Sequence, residues 1–204
     1  MKKYYIVWAG HHPGVYETWE ECQKEIKHFS RPKYKSFKGV TREEAEQLFQ
    51  NPSLDRAPND PHIIDSSSTI ISEALAVDAS TINNPGPMEY RGVWVQSGEV
   101  AFSSKVYPKG TNNIGEFLAI VHAMGWMLQH ASIVPIYSDS LTALYWIKKR
   151  QWNTQLPHTP ETQELFQVLE RAKVFLHNTD LSPFTLIKWE TDAWGEIPAD
   201  YGRK

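Results

Sequence analysis

Four acidic residues carry the chemistry that this sequence can do: Asp78, Glu116, Asp139 and Asp200. Asp78 interrupts an apolar run, Leu75-Ala76-Val77-Asp78-Ala79, and Asp139 ends another that begins at Ile133. Glu116 opens a helical stretch, and Asp200 follows Pro198-Ala199. Carboxylates at strand ends and helix starts are costly to bury without a partner. A hard divalent cation with oxygen ligands offsets that cost. Several carboxylates around such ions are also what phosphodiester hydrolysis calls for, because a nucleophile must be activated and charge on the leaving oxygen relieved. The expected chemistry is metal-assisted phosphoryl transfer. Ordinary readings compete: Asp139 beside Ser140 could cap a helix, and Glu116 in a first helical turn would gain from the dipole. Asp78, inside an apolar strand, has no comparable explanation.

The elements that must position these acids are legible in outline. Three strand-like runs follow Glu73, broken by turns at Asn83-Asn84-Pro85-Gly86 and Ser97-Gly98. Apolar spacing through Phe117, Ile120, Val121 and Met124 predicts a helix from about Asn113 to Gln129. A fourth strand is expected over Ile133 to Tyr137, a helix over Leu141 to Lys149, another started by Thr159-Pro160-Glu161-Thr162 and running to about Leu176, and a fifth strand over Phe184 to Trp189. Hairpin strands followed by alternating helices and strands predict an α/β fold, a five-stranded mixed sheet flanked by helices. Upstream, Lys3 to Trp8 and Tyr34 to Phe37 read as strands. Thr18 with Glu21, and Thr41 with Glu44, read as capping boxes that open two short helices. The chain thus divides into a small α/β domain at 1–50, a Pro-, Asn- and Ser-rich linker at 51–70, and a larger domain at 71–204.

Composition narrows the setting. The single cysteine, Cys22, excludes an intramolecular disulfide and a multi-cysteine zinc site. No stretch approaches the roughly 18 apolar residues needed to span a membrane, and the N-terminus has no signal-like apolar core. A soluble cytoplasmic protein without a membrane partner is expected. Net charge is −3, unevenly spread: residues 1–50 hold nine Lys/Arg against seven Asp/Glu, and the rest hold twelve against seventeen. The acidic excess belongs with the proposed metal ligands, and the basic excess lies where phosphate affinity would be useful.

Five local motifs occur in order: Asp78-Ala79-Ser80, Asn84-Pro85-Gly86-Pro87, Thr111-Asn112-Asn113 running into Glu116, Ser138-Asp139-Ser140, and Ala199-Asp200. Together they resemble a type 1 ribonuclease H over roughly residues 71 to 204. The resemblance implies an endoribonuclease that hydrolyses the RNA strand of RNA–DNA hybrids by two-metal catalysis, leaving 5′-phosphate and 3′-hydroxyl ends. By it, Asp78, Glu116, Asp139 and Asp200 are catalytic metal ligands, with Asp78 bridging. Mg²⁺ is the implied ion, since every candidate ligand is a hard oxygen, and Mn²⁺ is the alternative. Asn84, Gly86 and Asn113 are implied to approach the RNA strand, where a side-chain amide can read a 2′-hydroxyl; Asn-Pro-Gly could equally just build a turn. The histidine that such enzymes often carry before the last Asp is missing from Lys188 to Glu196, and Asp192 competes with Asp200 as fourth ligand.

Residues 3–49 resemble the hybrid-binding, viroplasmin-like domain attached to many type 1 ribonucleases H, through Tyr5, Gly10, Gly14, Tyr16, Trp19, Cys22, Phe29, Tyr34-Lys35-Ser36-Phe37 and Ala45. The resemblance implies that Trp19 and Tyr34, with Tyr5, pack against deoxyribose and that Lys35 contacts phosphate. Ser36 stands where a second lysine is usual, which by the resemblance implies one weakened phosphate contact. An RNA–DNA hybrid is the partner expected, and no protein partner is implied. Two other readings stay open: a non-catalytic binder of hybrid or double-stranded RNA, and a related nuclease acting on DNA.

Overall fold

Strand alternation sorts the first fifty residues into a core face and a surface face. β1 (Lys3–Ala9) pairs antiparallel with β2 (Gly14–Tyr16) on one side and β3 (Lys33–Lys38) on the other. Tyr4 and Ile6 of β1 are buried with Ala45 of α2 (Arg42–Gln50), and Phe37 packs against them. Tyr5 points to the opposite face, toward α1 (Trp19–Ile26). Both helices start at reciprocal caps. Thr18 Oγ1 accepts from Glu21 N–H at 3.2 Å while Glu21 Oε2 accepts from Thr18 N–H at 3.1 Å, and Thr41 and Glu44 do the same at 3.2 and 2.7 Å. β2 stands where the sequence shows only a turn at Pro13-Gly14, because a three-residue edge strand is too short to display a period.

This computed structural model describes residues 3–50, 59–64 and 67–202. Its two compact units are Met1–Pro58 and Asn59–Lys204. The second unit holds β4 (His62–Ile64), β5 (Leu75–Thr81), β6 (Gly86–Trp94), β7 (Val100–Ser103), β8 (Tyr107–Gly110), α3 (Asn112–His130), β9 (Ile136–Ser138), α4 (Leu141–Lys149), α5 (Gln163–Asn178), β10 (Thr185–Lys188) and α6 (Thr191–Trp194). Its sheet runs β4-β10-β9-β5-β6-β7, with β8 also pairing β6. β5, β9, β10 and β4 are mutually parallel where they pair, while β6 pairs antiparallel with β5, β7 and β8. No helix among the described residues is long and apolar enough to cross a membrane.

The fold is the mixed, helix-flanked α/β sheet expected, but among the described residues the sheet has seven strands rather than five. The two additions are edge elements with poor sequence signals. β8 contains Pro108 and Gly110, which break a strand pattern. β4 is three residues long and falls within the stretch read as a linker; His62 N–H donates to Phe184 O at 2.9 Å just before β10. Residues 51–58 and 65–66 of that stretch lie outside the described residues.

β5 is central and covered on both faces, which explains its nearly continuous apolar sequence. Leu75, Val77 and Ala79 join the core formed with α3, while Ala74 and Ala76 join a second cluster with Val93, Tyr137, Ile187, Trp189, Ile197 and Ala199. Asp78 alternates onto the side of Ala76. Its register partner on β6 is Arg91.

Candidate active site

The middle of β5, the end of β9 and the helix α3 bring three of the acids together. Asp78, Glu116 and Asp139 each offer a carboxylate oxygen, and these atoms lie within 4.8 Å of one another. Asp78 is 7% exposed, one of few polar side chains buried in the described residues. Glu116 arrives through the close approach of α3 to β5. A Cβ on Gly115 would sit 2.5 Å from Ala79 Cβ and 3.1 Å from Met88 Sδ, so only glycine lets the helix come this near.

The competing structural readings fail on geometry. α4 is capped by Ser140, whose Oγ accepts from Ala143 N–H at 3.1 Å. Asp139 does not cap it, and Asp139 Oδ1 is buried with no hydrogen-bond partner. A buried acceptor left in this state calls for a cation or a donor. Likewise α3 is capped by Thr111, and its first turn holds no acid; Glu116 lies beyond the reach of the dipole's strongest effect.

Electrostatics record the crowding. Burial pushes the Asp78 carboxyl up to about 8, and the neighbouring charges of Asp139, Glu116 and Asp200 push the same way against a hydrogen bond from the Ala79 backbone. Burial also raises Glu116, opposed by a hydrogen bond from Ser140 and aided by Asp139. Asp139 is raised by burial and by Asp200 and Glu196, with Lys188 opposing. Three neighbouring carboxyls that resist ionisation are a set that a divalent cation would fit: it would supply the missing partner of Asp139 Oδ1 and neutralise the repulsion.

Asp200 stands outside the closest trio but lines one small open pocket with Asp78, Ala79, Ser80, Thr81, Asn112 and Tyr201. Its Oδ2 accepts from Gly202 N–H at 2.7 Å. Asp192 is exposed on α6 and belongs neither to the carboxylate trio nor to that pocket.

The expected substrate contacts are arranged unequally. Asn84 Oδ1 accepts from Asn112 N–H at 3.3 Å, and Asn112 Oδ1 accepts from Thr81 Oγ1–H at 2.8 Å. Asn113 is exposed at the start of α3. Gly86 is demanded by its turn, since a Cβ there would lie 1.7 Å from Ile82 O. The sequence reading missed Asn112, Thr81, Tyr201 and the double role of Ser140. Asn112 adjoins a named candidate, but which asparagine of the pair faces the pocket depends on where the helix starts.

In the first unit Tyr5, Trp19 and Tyr34 form a row, with ring centroids 5.7 Å apart for Tyr5–Trp19 and 5.9 Å for Trp19–Tyr34. Trp19 and Tyr34 are 38% and 43% exposed, unusual for rings in a small domain with few apolar residues to spend on a core. Lys35 does not share their face. It pairs with Ile6, and its Nζ lies over the Phe37 ring at 5.1 Å. Lys3 and Lys38 pair with each other on the aromatic side, and Lys3 Nζ sits 4.6 Å from the Tyr5 ring centre.

Comparison with known proteins bears on both units. Residues 3–49 match the family described as Ribonuclease H1 N-terminal domain, and residues 72–181, more than half of the chain, match the family described as RNase H. The second match contains Asp78, Glu116 and Asp139 and stops before Asp200. Among solved structures, the chain is similar to RNase H1 from the halophilic archaeon Halobacterium salinarum at 20% identity, covering 56% of this chain and 82% of that one, with a TM-score of 0.36. It is similar to the N-terminal RNase H domain of a Mycobacterium tuberculosis protein, solved fused to maltose binding protein, at 15% identity, 57% and 86% coverage and a TM-score of 0.35. A third is LC11-RNase H1, solved in complex with RNA/DNA hybrid, at 16% identity, 59% and 86% coverage and a TM-score of 0.38. The family matches, rather than these distant structural likenesses, carry the assignment.

Proposed function

The chain belongs to the RNase H family, with a ribonuclease H1-type N-terminal domain, and on that premise we propose that it hydrolyses the RNA strand of RNA–DNA hybrids, leaving 5′-phosphate and 3′-hydroxyl ends. The observation that carries the reading is the meeting of Asp78, Glu116 and Asp139 within 4.8 Å around an oxygen, Asp139 Oδ1, that has no partner. We assign these three and Asp200 as the ligands of two Mg²⁺ ions, with Mn²⁺ as substitute. When bound, the ions supply Lewis acidity for water activation and for the departing 3′-oxygen.

The chain's own residues set the stage for that chemistry. Burial and its acidic neighbours favour the protonated form of Asp78 in the metal-free site, and a bound cation would favour its carboxylate. Ser140 orients Glu116 by donating its O–H while accepting from Ala143 N–H. Asn84 has committed its Oδ1 to Asn112 N–H, so it addresses a 2′-hydroxyl through Nδ2–H, whereas exposed Asn113 can both donate and accept. Gly86 brings only backbone to the substrate. Asp200 is preferred to Asp192 as the fourth ligand because it shares the pocket with Asp78. Glu196, whose charge reaches Asp139, is the candidate to assist proton transfer where the histidine is missing.

In the N-terminal unit we assign Tyr5, Trp19 and Tyr34 as the platform for the DNA sugars, and Lys35, on the edge strand β3, as a phosphate contact. A first domain at 1–50 and a cytoplasmic setting belong to the same reading, whereas the second domain's limit of 71 moves back to about residue 59, because β4 pairs with β10. The test uses labelled RNA–DNA hybrid, double-stranded RNA and double-stranded DNA, each with Mg²⁺ or with EDTA. Cleavage confined to the RNA strand of the hybrid and abolished by EDTA is expected. Absence of metal-dependent hybrid cleavage would refute the proposal.

A further inference from the structure

We infer that Arg91 is a positioning residue that holds Asp200 beside Asp78 and so completes the carboxylate set. The inference rests on the reading of Asp200 as a ligand. Arg91 lies directly opposite Asp78 in the β5–β6 register. Its part-buried guanidinium donates from Nε to Ala199 O at 3.0 Å and from Nη2 to Asp200 O at 2.6 Å. Its plane also lies over the Tyr201 ring, 4.3 Å from the centre. One side chain thus grips three consecutive residues, 199 to 201, from a strand more than a hundred positions earlier in the chain.

The segment needs such a grip. Residues 197–202 form neither helix nor strand, so no ladder fixes their path. Buried Ile197 and Ala199 anchor the approach, and Asp200 N–H donates to Ile197 O at 2.8 Å. Beyond Ala199 the chain must present a carboxylate to a cluster that repels it: the charge of Asp200 works against ionisation of both Asp78 and Asp139. A guanidinium suits the task in three ways. Its fork spans two adjacent carbonyls, its plane packs on an aromatic ring, and its charge counters the local negative field. Gly202 N–H also donates to Asp200 Oδ2 at 2.7 Å, and Asp200 lines the pocket that Asp78 shares. Lysine could donate to these carbonyls but has neither the planar fork nor a face to pack on the Tyr201 ring.

The experiment compares wild type, Arg91→Met, Arg91→Lys, Asp200→Asn and the double variant Arg91→Met/Asp200→Asn. Measured are kcat and KM on hybrid, and amide hydrogen exchange of the metal-free proteins. Arg91→Met should lower kcat by about 100-fold, the scale of an ångström-level misplacement, with KM nearly unchanged. Arg91→Lys should recover part of the loss. The double variant should be no slower than Asp200→Asn, because Arg91 acts through Asp200. Exchange should quicken at residues 199–202 while the β5 amides stay protected. An active wild type with unchanged kcat in Arg91→Met, additive losses in the double variant, or exchange that quickens throughout the second unit would overturn the positioning role alone. A wild type inert on hybrid would instead sink the functional reading, whereas normal turnover in Asp200→Asn would sink only the reading of Asp200 as a ligand; this role falls with either.

Discussion

The two units handle charge in opposite ways. The N-terminal unit keeps the groups proposed to bind at the surface: Trp19 and Tyr34 are exposed, and Lys3 and Lys35 lie along aromatic rings. The second unit gathers three carboxylates around a buried point, where burial and mutual repulsion oppose ionisation. Surface recognition costs the fold little, and each group contributes modestly. Buried catalysis concentrates its cost in a few residues, so each of those should have a large effect on both activity and stability. The comparison therefore predicts a steep ranking of mutational effects between the units.

Asp78→Asn should have the largest effect. Cleavage of hybrid should fall by about 1000-fold or more, since loss of a ligand forfeits several kcal/mol of charge stabilisation. The metal-free variant should nonetheless be more stable than wild type. The ordinary value for this carboxyl is 3.8 and the folded value about 8. Below both, the group is protonated in either state and exacts nothing. Between them the unfolded chain releases its proton while the folded one keeps it, so wild-type stability falls as pH rises from about 4 to about 8. Removing the charge should stabilise the metal-free protein at pH 8 by at most about 5 kcal/mol, a rise of up to roughly 10–20 °C in Tm. Differential scanning calorimetry in EDTA at pH 5 and pH 8 checks this; an unchanged pH slope in the variant would contradict it.

A smaller effect is expected from the aromatic row. Trp19→Ala should weaken binding of a long hybrid by about 10-fold, the scale of one stacked ring, with kcat at saturating hybrid unchanged. Fluorescence anisotropy alongside steady-state rates separates the two, and a collapse of kcat would break the division of labour. The smallest effect belongs to the lysines. Lys35→Ala and Lys38→Ala should each reduce the slope of log affinity against log salt by about 1. Equal losses would mean that charge near the edge strand decides, whereas a loss confined to Lys38 would mean that sharing the aromatic face decides.

Much of this contrast was legible in the sequence, for identifiable reasons. α3 and α4 could be placed because their apolar residues recur at helical spacing, although the sequence reading missed the caps Thr111 and Ser140 and offered Asp139 in place of Ser140. Asp78 stood out because a charge inside an apolar strand violates the pattern around it. β4 and β8 were missed because short edge strands carry no period, and the seven-stranded count followed from pairing rather than from pattern. The roles of Arg91 and Asn112 were hidden for a different reason. Arg91 acts through backbone carbonyls far along the chain, and no motif encodes a contact of that kind. The face on which Lys35 lies depends on the register with β1, which the isolated motif Tyr34-Lys35-Ser36-Phe37 does not fix.

The central claim is that Asp78, Glu116 and Asp139 form a cation site whose carboxyls are not all ionised beforehand. Calorimetric titration of Mn²⁺ into the metal-free protein at pH 7, in two buffers of different ionisation enthalpy, tests it directly. Wild type should bind with release of up to about one proton, supplied by Asp78, and Asp139→Asn should lose most of the affinity. Equal Mn²⁺ affinity in wild type and Asp139→Asn, with no buffer-dependent heat, would contradict the account.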